Sequence, residues 1–193
     1  MKRIILASQS PRRRELLTQI GLKFEVIPST VEEVITSTNP VEVVQELAQQ
    51  KARDVAEVAG REMAKDSLLV IGADTIVVYE GKILGKPEDK EDAVRMLTML
   101  QGKEHSVYTG VALLSGEQEI VFAEETQVQM CPMTPEEILW YVNTGEPMDK
   151  AGAYGIQGLC ARFIRQVQGD YNNVVGLPVG RIYQELKKEE GVF

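Results

Sequence analysis

The sequence predicts an α/β fold in which helices flank a mixed central sheet, arranged as one compact unit or as two small lobes around a cleft. Short apolar runs alternate with amphipathic segments along all 193 residues, and no repeat or low-complexity tract interrupts them. The chain is 44% hydrophobic and 26% charged, a composition that suits one compact domain with a sizeable core. We therefore treat residues 1–193 as a single domain.

Strands and helices alternate in the first half, and turn or capping residues mark their ends. Ser10 and Asn39 each precede a proline, the order that opens a helix behind a side-chain N-cap. Gly21 and Gly60 follow the apolar stripes opened there, and glycine commonly ends a helix. The predicted elements are strands over 3–8 and 23–29, helices from Pro11 to about Ile20 and from Pro40 to Gly60, and a strand over 67–84, interrupted at 72–75 and turning at Glu80-Gly81.

The second half begins with a helix whose apolar residues recur at helical spacing. Two longer apolar runs, joined at Gly116-Glu117, predict an antiparallel pair. Thr134 and Glu137 form a capping box for a further helix. The predicted elements are helix 88–101, strands 105–115 and 119–130, a helix that ends at Gly145, a strand over 161–169, and a helix from about Pro178 to Glu189.

Charge and cysteine content exclude several classes of function. The net charge is −8 and the pI is about 4.9, so the field of the protein repels nucleic-acid polymers. The two cysteines form no CxxC pattern and His105 is the only histidine, which makes a zinc site or a disulfide scaffold improbable. No signal peptide or apolar run of membrane-spanning length is present, so we expect a cytoplasmic protein without a membrane partner.

Arg12, Arg13 and Arg14 occupy the first turn of the first predicted helix, where the helix dipole already disfavours cations. Helical spacing places Arg13 on the inward stripe with Leu16 and Leu17, with Arg12 and Arg14 to either side of it. An arginine there can snorkel or pair with an acid, which we favour for Arg14. For Arg12 and Arg13 we favour an anion site, because helix N–H groups and guanidiniums donate to phosphate oxygens.

Lys51 and Asp74 are charged residues in apolar surroundings. Lys51 lies in the middle of the apolar face of the second helix, so it must be paired, snorkelling or functional. Asp74 lies between apolar runs, where it either serves a cation or forms a turn at a strand end. Gly72 before it permits close backbone approach or a bulge.

Several cations placed against their local preference, together with one or two carboxylates in an acidic protein, match a polyphosphate with a divalent metal ion. A buried aspartate could also orient or deprotonate an attacking water. Glu32 and Glu33 could supply another carboxylate. Lys86, in a rigid Gly-Lys-Pro turn, is a weaker signal, and no Walker-type phosphate loop is present.

Five ordered blocks of the sequence closely resemble the Maf family of nucleotide pyrophosphatases. The blocks are SQSPRRREL at 8–16, GADT at 72–75, GKP at 85–87, DKAGAYGIQG at 149–158 and GDYNNVVGLP at 169–178. The resemblance implies a Maf/ITPase-like fold with its site in a cleft. It also implies a cytoplasmic hydrolase that cleaves nucleoside triphosphates between the α and β phosphates with a divalent metal cation, Mg or Mn.

The family pattern also implies roles for individual residues. Asp74 is the expected proton acceptor for water and forms the catalytic group with Lys51 and Lys86. Glu33 and Asp74 are the expected metal ligands, although Glu32 stands where the family usually has aspartate, which leaves open which of the two glutamates reaches the ion. The residues expected to bind substrate are Ser8, Arg12, Arg13, Thr75, Lys150 and Gln157, and Lys51 and Lys86 also contact phosphates.

Three positions that differ between family branches read Arg12, Thr75 and Gln157, a combination that resembles the branch acting on dTTP and UTP. The amide of Gln157 can pair with N3–H and a carbonyl of thymine or uracil. A pyrophosphatase for a purine or modified nucleotide such as 7-methyl-GTP, and a nucleotide-sensing regulator of septum formation, remain alternatives. We expect a nucleoside triphosphate as ligand and no nucleic-acid polymer; a homodimer is compatible with the sequence, which does not set the oligomeric state.

Overall fold

The computed structural model describes residues 2–61 and 67–188. The strands are β1 (Arg3–Leu6), β2 (Glu25–Val26), β3 (Leu68–Tyr79), β4 (Lys82–Leu84), β5 (Glu104–Ser115), β6 (Gln118–Met130) and β7 (Ile164–Gln168). The α-helices are α1 (Pro11–Gln19), α2 (Pro40–Gly60), α3 (Lys90–Leu100), α4 (Pro135–Asn143), α5 (Tyr171–Val175) and α6 (Val179–Leu186). Short 3₁₀ helices cover Glu146–Asp149, Ala151–Ala153 and Leu159–Phe163.

These seven strands form one mixed sheet, as the sequence predicts. Its order is β2-β1-β3-β5-β6-β7, and β4 pairs with β3. Strand β1 runs parallel to β2 and β3, because α1 and α2 return the chain to the same end of the sheet. The β3–β4 and β6–β7 pairs are antiparallel. Strands β5 and β6 are sheet neighbours joined by a two-residue turn at 116–117, which makes this pair antiparallel too.

The predicted strands differ from the structure at several points. The strand predicted over 161–169 begins only at Ile164, because a 3₁₀ helix covers Leu159–Phe163. The predicted interruption at 72–75 is wrong, because β3 runs continuously from Leu68 to Tyr79 and contains Asp74 in its interior. The predicted strand 23–29 shrinks to Glu25–Val26. After it, Ser29 and the backbone N–H of Thr30 bond to the Asp54 carboxylate on α2 instead of continuing a ladder.

The predicted helix starts are confirmed. Ser10, Asn39 and Thr134 each accept a hydrogen bond from a backbone N–H of the first turn, and Thr134 completes its capping box with Glu137. The last helix covers Val179–Leu186, and the predicted end at Glu189 lies outside the described residues. No helix within the described part of the chain is both long and apolar enough to cross a membrane.

The chain divides into two compact units. The first comprises 1–74, 109–124 and 176–193. Its core includes Ile5 and Val70 on the sheet, packed with Ala48, Ala52 and Val55 of α2.

The second unit comprises 75–108 and 125–175. Helix α3 packs against α4 and against the 3₁₀ helices at 146–149 and 151–153. Leu97, Leu100, Tyr141 and Cys160 are fully buried here. The start of the DKAGAYGIQG block, up to Ala153, therefore lies against a packed helical layer.

Candidate active site

Three charged side chains meet in the first unit. The ammonium of Lys51 donates to Oδ1 of Asp74 and forms an ion pair with Oε1 of Glu33 at 2.9 Å. The side chains of Lys51 and Asp74 are only 17% and 15% exposed, whereas that of Glu33 is 47% exposed. One cation thus joins a nearly buried carboxylate to one that solvent reaches.

Close packing of α2 on the sheet brings Lys51 to Asp74. A Cβ atom at Gly72 would lie 2.3 Å from the carbonyl oxygen of Ala48, and one at Gly110 would lie 2.1 Å from that of Val44. Both distances are far inside van der Waals contact, so only glycine fits at these strand positions. The sequence left open whether Gly72 allows a bulge or a close approach of the backbone, and the structure shows the close approach of α2.

A stripe of polar residues on α2 holds the segment that carries Glu33. Residues 42, 46, 50 and 54 recur every four positions and so share one helix face. Gln50 forms a reciprocal pair with the backbone of Val34, with N–O distances of 2.9 and 2.6 Å. Glu42 bonds Ser37, Glu46 bonds Thr36, and Asp54 bonds Ser29 and Thr30.

These hydrogen bonds replace the missing backbone ladder of the 29–37 segment. They also lower the pKa of two carboxyls in the stripe: the Thr36 hydroxyl lowers that of Glu46, and the Ser29 hydroxyl lowers that of Asp54. The segment therefore has a fixed register against α2, and that register places Glu33, not the neighbouring exposed Glu32, on Lys51.

Arg13 points inward from the first turn of α1. Its Nε donates to the carbonyl of Gly176 at 2.8 Å, and its NH1 donates to the carbonyl of Ala73 at 2.8 Å and to Oγ of Ser8 at 3.1 Å. Burial lowers the pKa of Arg13, an effect opposed by the nearby charge of Asp74. The guanidinium stays charged, since arginine keeps its proton in proteins, and three acceptors fix its plane.

The N-terminus of α1 differs in charge from those of α2, α3 and α4. Helices α2, α3 and α4 carry acidic residues in their first turns, whereas α1 carries none there. Arg12 is half-buried and its charge further lowers the pKa of Arg13, while Arg14 is exposed, as the helical spacing predicts. Positive charge thus accumulates here without an acid in the first turn of the helix.

The other predicted site residues belong to the second unit. Lys86 is exposed on a turn fixed by the hydrogen bond from Gly152 N–H to the Gly85 carbonyl, at 3.0 Å. The ammonium of Lys150 donates to the Glu146 carbonyl and to Asp149, both at 2.7 Å. Gln157 is exposed, and Thr75, which follows Asp74 in β3, is half-buried.

Sequence reasoning missed the residues that support this arrangement. The carbonyls of Ala73 and Gly176 hold Arg13, yet a backbone carbonyl leaves no signature in a sequence. The polar stripe of α2 does leave a signature in the sequence, because its residues recur every four positions. Polar residues on a helix are usually solvated, however, so this spacing alone does not indicate a contact. Across residues 2–61 and 67–188, no group of three or more His, Cys, Asp and Glu side chains is placed to hold a metal ion.

The sheet order and the close packing of α2 define an α/β protein with an arginine-rich helix start beside the carboxylates of Asp74 and Glu33. Solved Ham1 proteins share this fold. Those from Coxiella burnetii and Staphylococcus aureus align with TM-scores of 0.53 and 0.55, each over 98% of this chain and 100% of its own. Their sequence identities are 15% and 16%, so the likeness concerns the fold alone.

The Maf-like protein family model matches residues 3–189, and the chain belongs to this family. A relative named dTTP/UTP pyrophosphatase from Agathobacter rectalis is 54% identical over 200 residues, covering 97% of this chain and 98% of its own. A relative of the same name from Bacillus cytotoxicus is 51% identical over 189 residues, covering 97% of this chain and 96% of its own. Family membership thus agrees with the resemblance carried by the five sequence blocks.

Proposed function

We propose that this chain hydrolyses dTTP and UTP at the bond between the α and β phosphates, releasing a nucleoside monophosphate and pyrophosphate. The observation that carries the proposal is the ammonium of Lys51 held between Asp74 and Glu33. The names of relatives at 54% and 51% identity support the substrates.

Asp74 is the proposed proton acceptor for the attacking water. Its carboxylate is nearly buried on a central strand, and Lys51 holds it in one position. A fixed carboxylate can orient a water molecule and take its proton as the water attacks the α phosphorus in line with the departing pyrophosphate.

Arg13, Arg12 and Ser8 are the proposed phosphate ligands at the start of α1. Phosphate oxygens accept strong hydrogen bonds from guanidinium and from the N–H groups of a helix N-terminus. Arg13 is already oriented by the carbonyls of Ala73 and Gly176, so little ordering is left to occur on binding. These donors also stabilise the charge that develops on the pyrophosphate.

The carboxylates fit a divalent cation, which we propose as the cofactor. Mg²⁺ is usually held by one or two carboxylates together with substrate phosphates, and Asp74 and Glu33 already converge on one cation, the ammonium of Lys51. Bound there, the metal would supply charge neutralisation for the phosphates. Glu33 and Asp74 would hold it beside the Lys51 ammonium.

Lys86, Lys150, Thr75 and Gln157 remain the proposed substrate-binding residues of the second unit. The ammonium of Lys150 has three N–H donors, two of which are used by Glu146 and Asp149, so a third can reach a phosphate oxygen. Gln157 would pair with the pyrimidine base. We propose that the protein acts in the cytoplasm.

The proposed function is tested with purified protein, Mg²⁺ or Mn²⁺ and a panel of triphosphates in ¹⁸O-labelled water. Attack at the α phosphorus places the label in dTMP and UMP and leaves pyrophosphate unlabelled. Label in orthophosphate would show attack at the γ phosphorus and the wrong reaction type. Preference for 7-methyl-GTP would overturn the substrate, and retention of nucleotide without product would indicate a sensor.

Asp74→Asn tests the catalytic assignment. Loss of a general base lowers kcat by about a hundredfold to ten-thousandfold, and we expect an effect in this range. Glu57→Gln is the control, since Glu57 is exposed on α2 and pairs with Arg61. Turnover of dTTP by Asp74→Asn at the parent rate would contradict the role of Asp74.

A further inference from the structure

Gln157 lies on a tight turn in the second unit. The N–H of Gly158 donates to the carbonyl of Gly155 at 3.2 Å, which closes a four-residue turn with Gln157 in its third position. The side chain of Gln157 is exposed, whereas Gly155 and Ile156 before it are buried. The backbone on either side of Gln157 therefore decides where its amide points.

One carboxylate, that of Glu146, is tied to both ends of this turn. Its Oε2 accepts a hydrogen bond from the N–H of Leu159 at 2.9 Å. Its Oε1 accepts from the hydroxyl of Tyr141 at 2.8 Å, and this hydroxyl accepts in turn from the N–H of Gly155 at 3.1 Å. Tyr141 is fully buried, so the link to Gly155 lies out of water.

The two glycines of the turn make room for this arrangement. A Cβ atom at Gly158 would lie 2.4 Å from both carboxylate oxygens of Glu146, and one at Gly155 would lie 2.5 Å from Cε of Lys150. The carboxylate therefore sits directly against the turn backbone. Burial raises the pKa of the Cys160 thiol to about 12, with the negative charge of Glu146 as the second cause, so this charge acts on the buried layer beneath the turn.

In the proposed function Gln157 pairs with the pyrimidine base, and this turn sets where its amide starts from. A glutamine amide offers an oxygen acceptor and an N–H donor, which match N3–H and a carbonyl of thymine or uracil. The same amide turned over matches the N3 acceptor and amino group of cytosine. A loosely held glutamine would therefore accept either base.

We propose that Glu146, acting with Tyr141, is a positioning residue that fixes the Gln157 turn and so sets the preference for thymine and uracil over cytosine. The proposal rests on the proposed function, because it assigns a role within base recognition by that enzyme. The backbone carbonyl of Glu146 also holds Lys150, and that contact survives a change of the Glu146 side chain.

Steady-state kinetics with dTTP, UTP and CTP on Glu146→Ala, Glu146→Gln and Tyr141→Phe test the proposal. In Glu146→Ala we expect KM for dTTP to rise about fivefold to twentyfold with a smaller change in kcat, and the ratio of kcat/KM for dTTP over CTP to fall. Glu146→Gln keeps one acceptor oxygen and should recover part of the loss. Tyr141→Phe releases only the Gly155 end and should have an intermediate effect.

Glu136→Gln is the matched control, because Glu136 is exposed on α4, five residues before Tyr141 in the chain. Circular dichroism and thermal unfolding check that each variant is folded. If Glu146→Ala is not folded, the kinetics of Glu146→Gln provide the test. Equal losses for dTTP and CTP, an unchanged KM, or a fall in kcat alone would overturn the positioning role. Absence of dTTP hydrolysis by the parent protein would instead overturn the proposed function.

Discussion

At the residue scale, the three adjacent arginines of α1 have different surroundings that follow from helical geometry. The spacing predicts an inward Arg13 and an exposed Arg14, and the structure has both. What the sequence does not contain is the pair of carbonyls, from Ala73 and Gly176, that orient Arg13. Its direction is readable from periodicity, but its partners come from distant parts of the chain.

Arg13→Ala should lower kcat/KM for dTTP by at least about a hundredfold, because it removes a buried donor to phosphate and leaves two carbonyls without it. Arg13→Lys should recover little, since an ammonium cannot reproduce the planar fork. Arg14→Ala is the matched control, and its kinetics should equal those of the parent. Steady-state release of pyrophosphate compares the variants. Equal effects of Arg13→Ala and Arg14→Ala would contradict the inward role of Arg13.

At the scale of elements, the helices were easier to predict than the segments between them. Ser10, Asn39 and Thr134 cap their helices with their own side chains, so the local sequence suffices to predict where these helices begin. The 29–37 segment and the 3₁₀ helices around Gly155 are held by side chains of α2 and by Glu146, which are contributed from elsewhere. The chain after β2 is fixed in the same way, because Asp54 on α2 accepts hydrogen bonds from the Ser29 hydroxyl and the Thr30 N–H.

Gln50→Ala should measure what the polar stripe of α2 contributes to activity, apart from the rest of that helix. The change removes both hydrogen bonds to Val34, so Glu33 loses its register and kcat/KM should fall about threefold to tenfold. Gln49→Ala is the control at the neighbouring position, where the amide bonds Glu119 instead. Kinetics at several Mg²⁺ concentrations measure the effect, and the same loss in both variants would assign it to the helix as a whole.

At the scale of the whole molecule, the sequence predicts the mixed sheet with flanking helices because strand and helix periodicities differ and capping residues separate them. It does not predict the close approach of α2 to β3 and β5. Gly72 and Gly110 permit that approach, but a glycine in a strand is also compatible with a bulge, and only the packing of Ala48 and Val44 decides between them.

The stability of the folded chain should decrease in mild acid because of its single histidine. His105 is buried with Nε2 at 2.7 Å from the hydroxyl of Tyr154, and burial lowers its pKa from 6.5 to about 4. In the unfolded chain His105 becomes protonated below about pH 6.5, whereas in the folded chain it becomes protonated only below about pH 4. The stabilisation is complete above the unfolded pKa and is lost as the pH falls between these two values.

Between pH 7.5 and pH 5.0, this linkage should remove about 2 kcal/mol from the free energy of unfolding. Urea denaturation at both pH values measures the change. His105→Gln keeps a polar group near Tyr154 but cannot titrate, so it should be less stable than the parent at pH 7.5 and should lose about 2 kcal/mol less on acidification. If parent and variant lost the same free energy between the two pH values, carboxylates rather than His105 would account for the acid sensitivity.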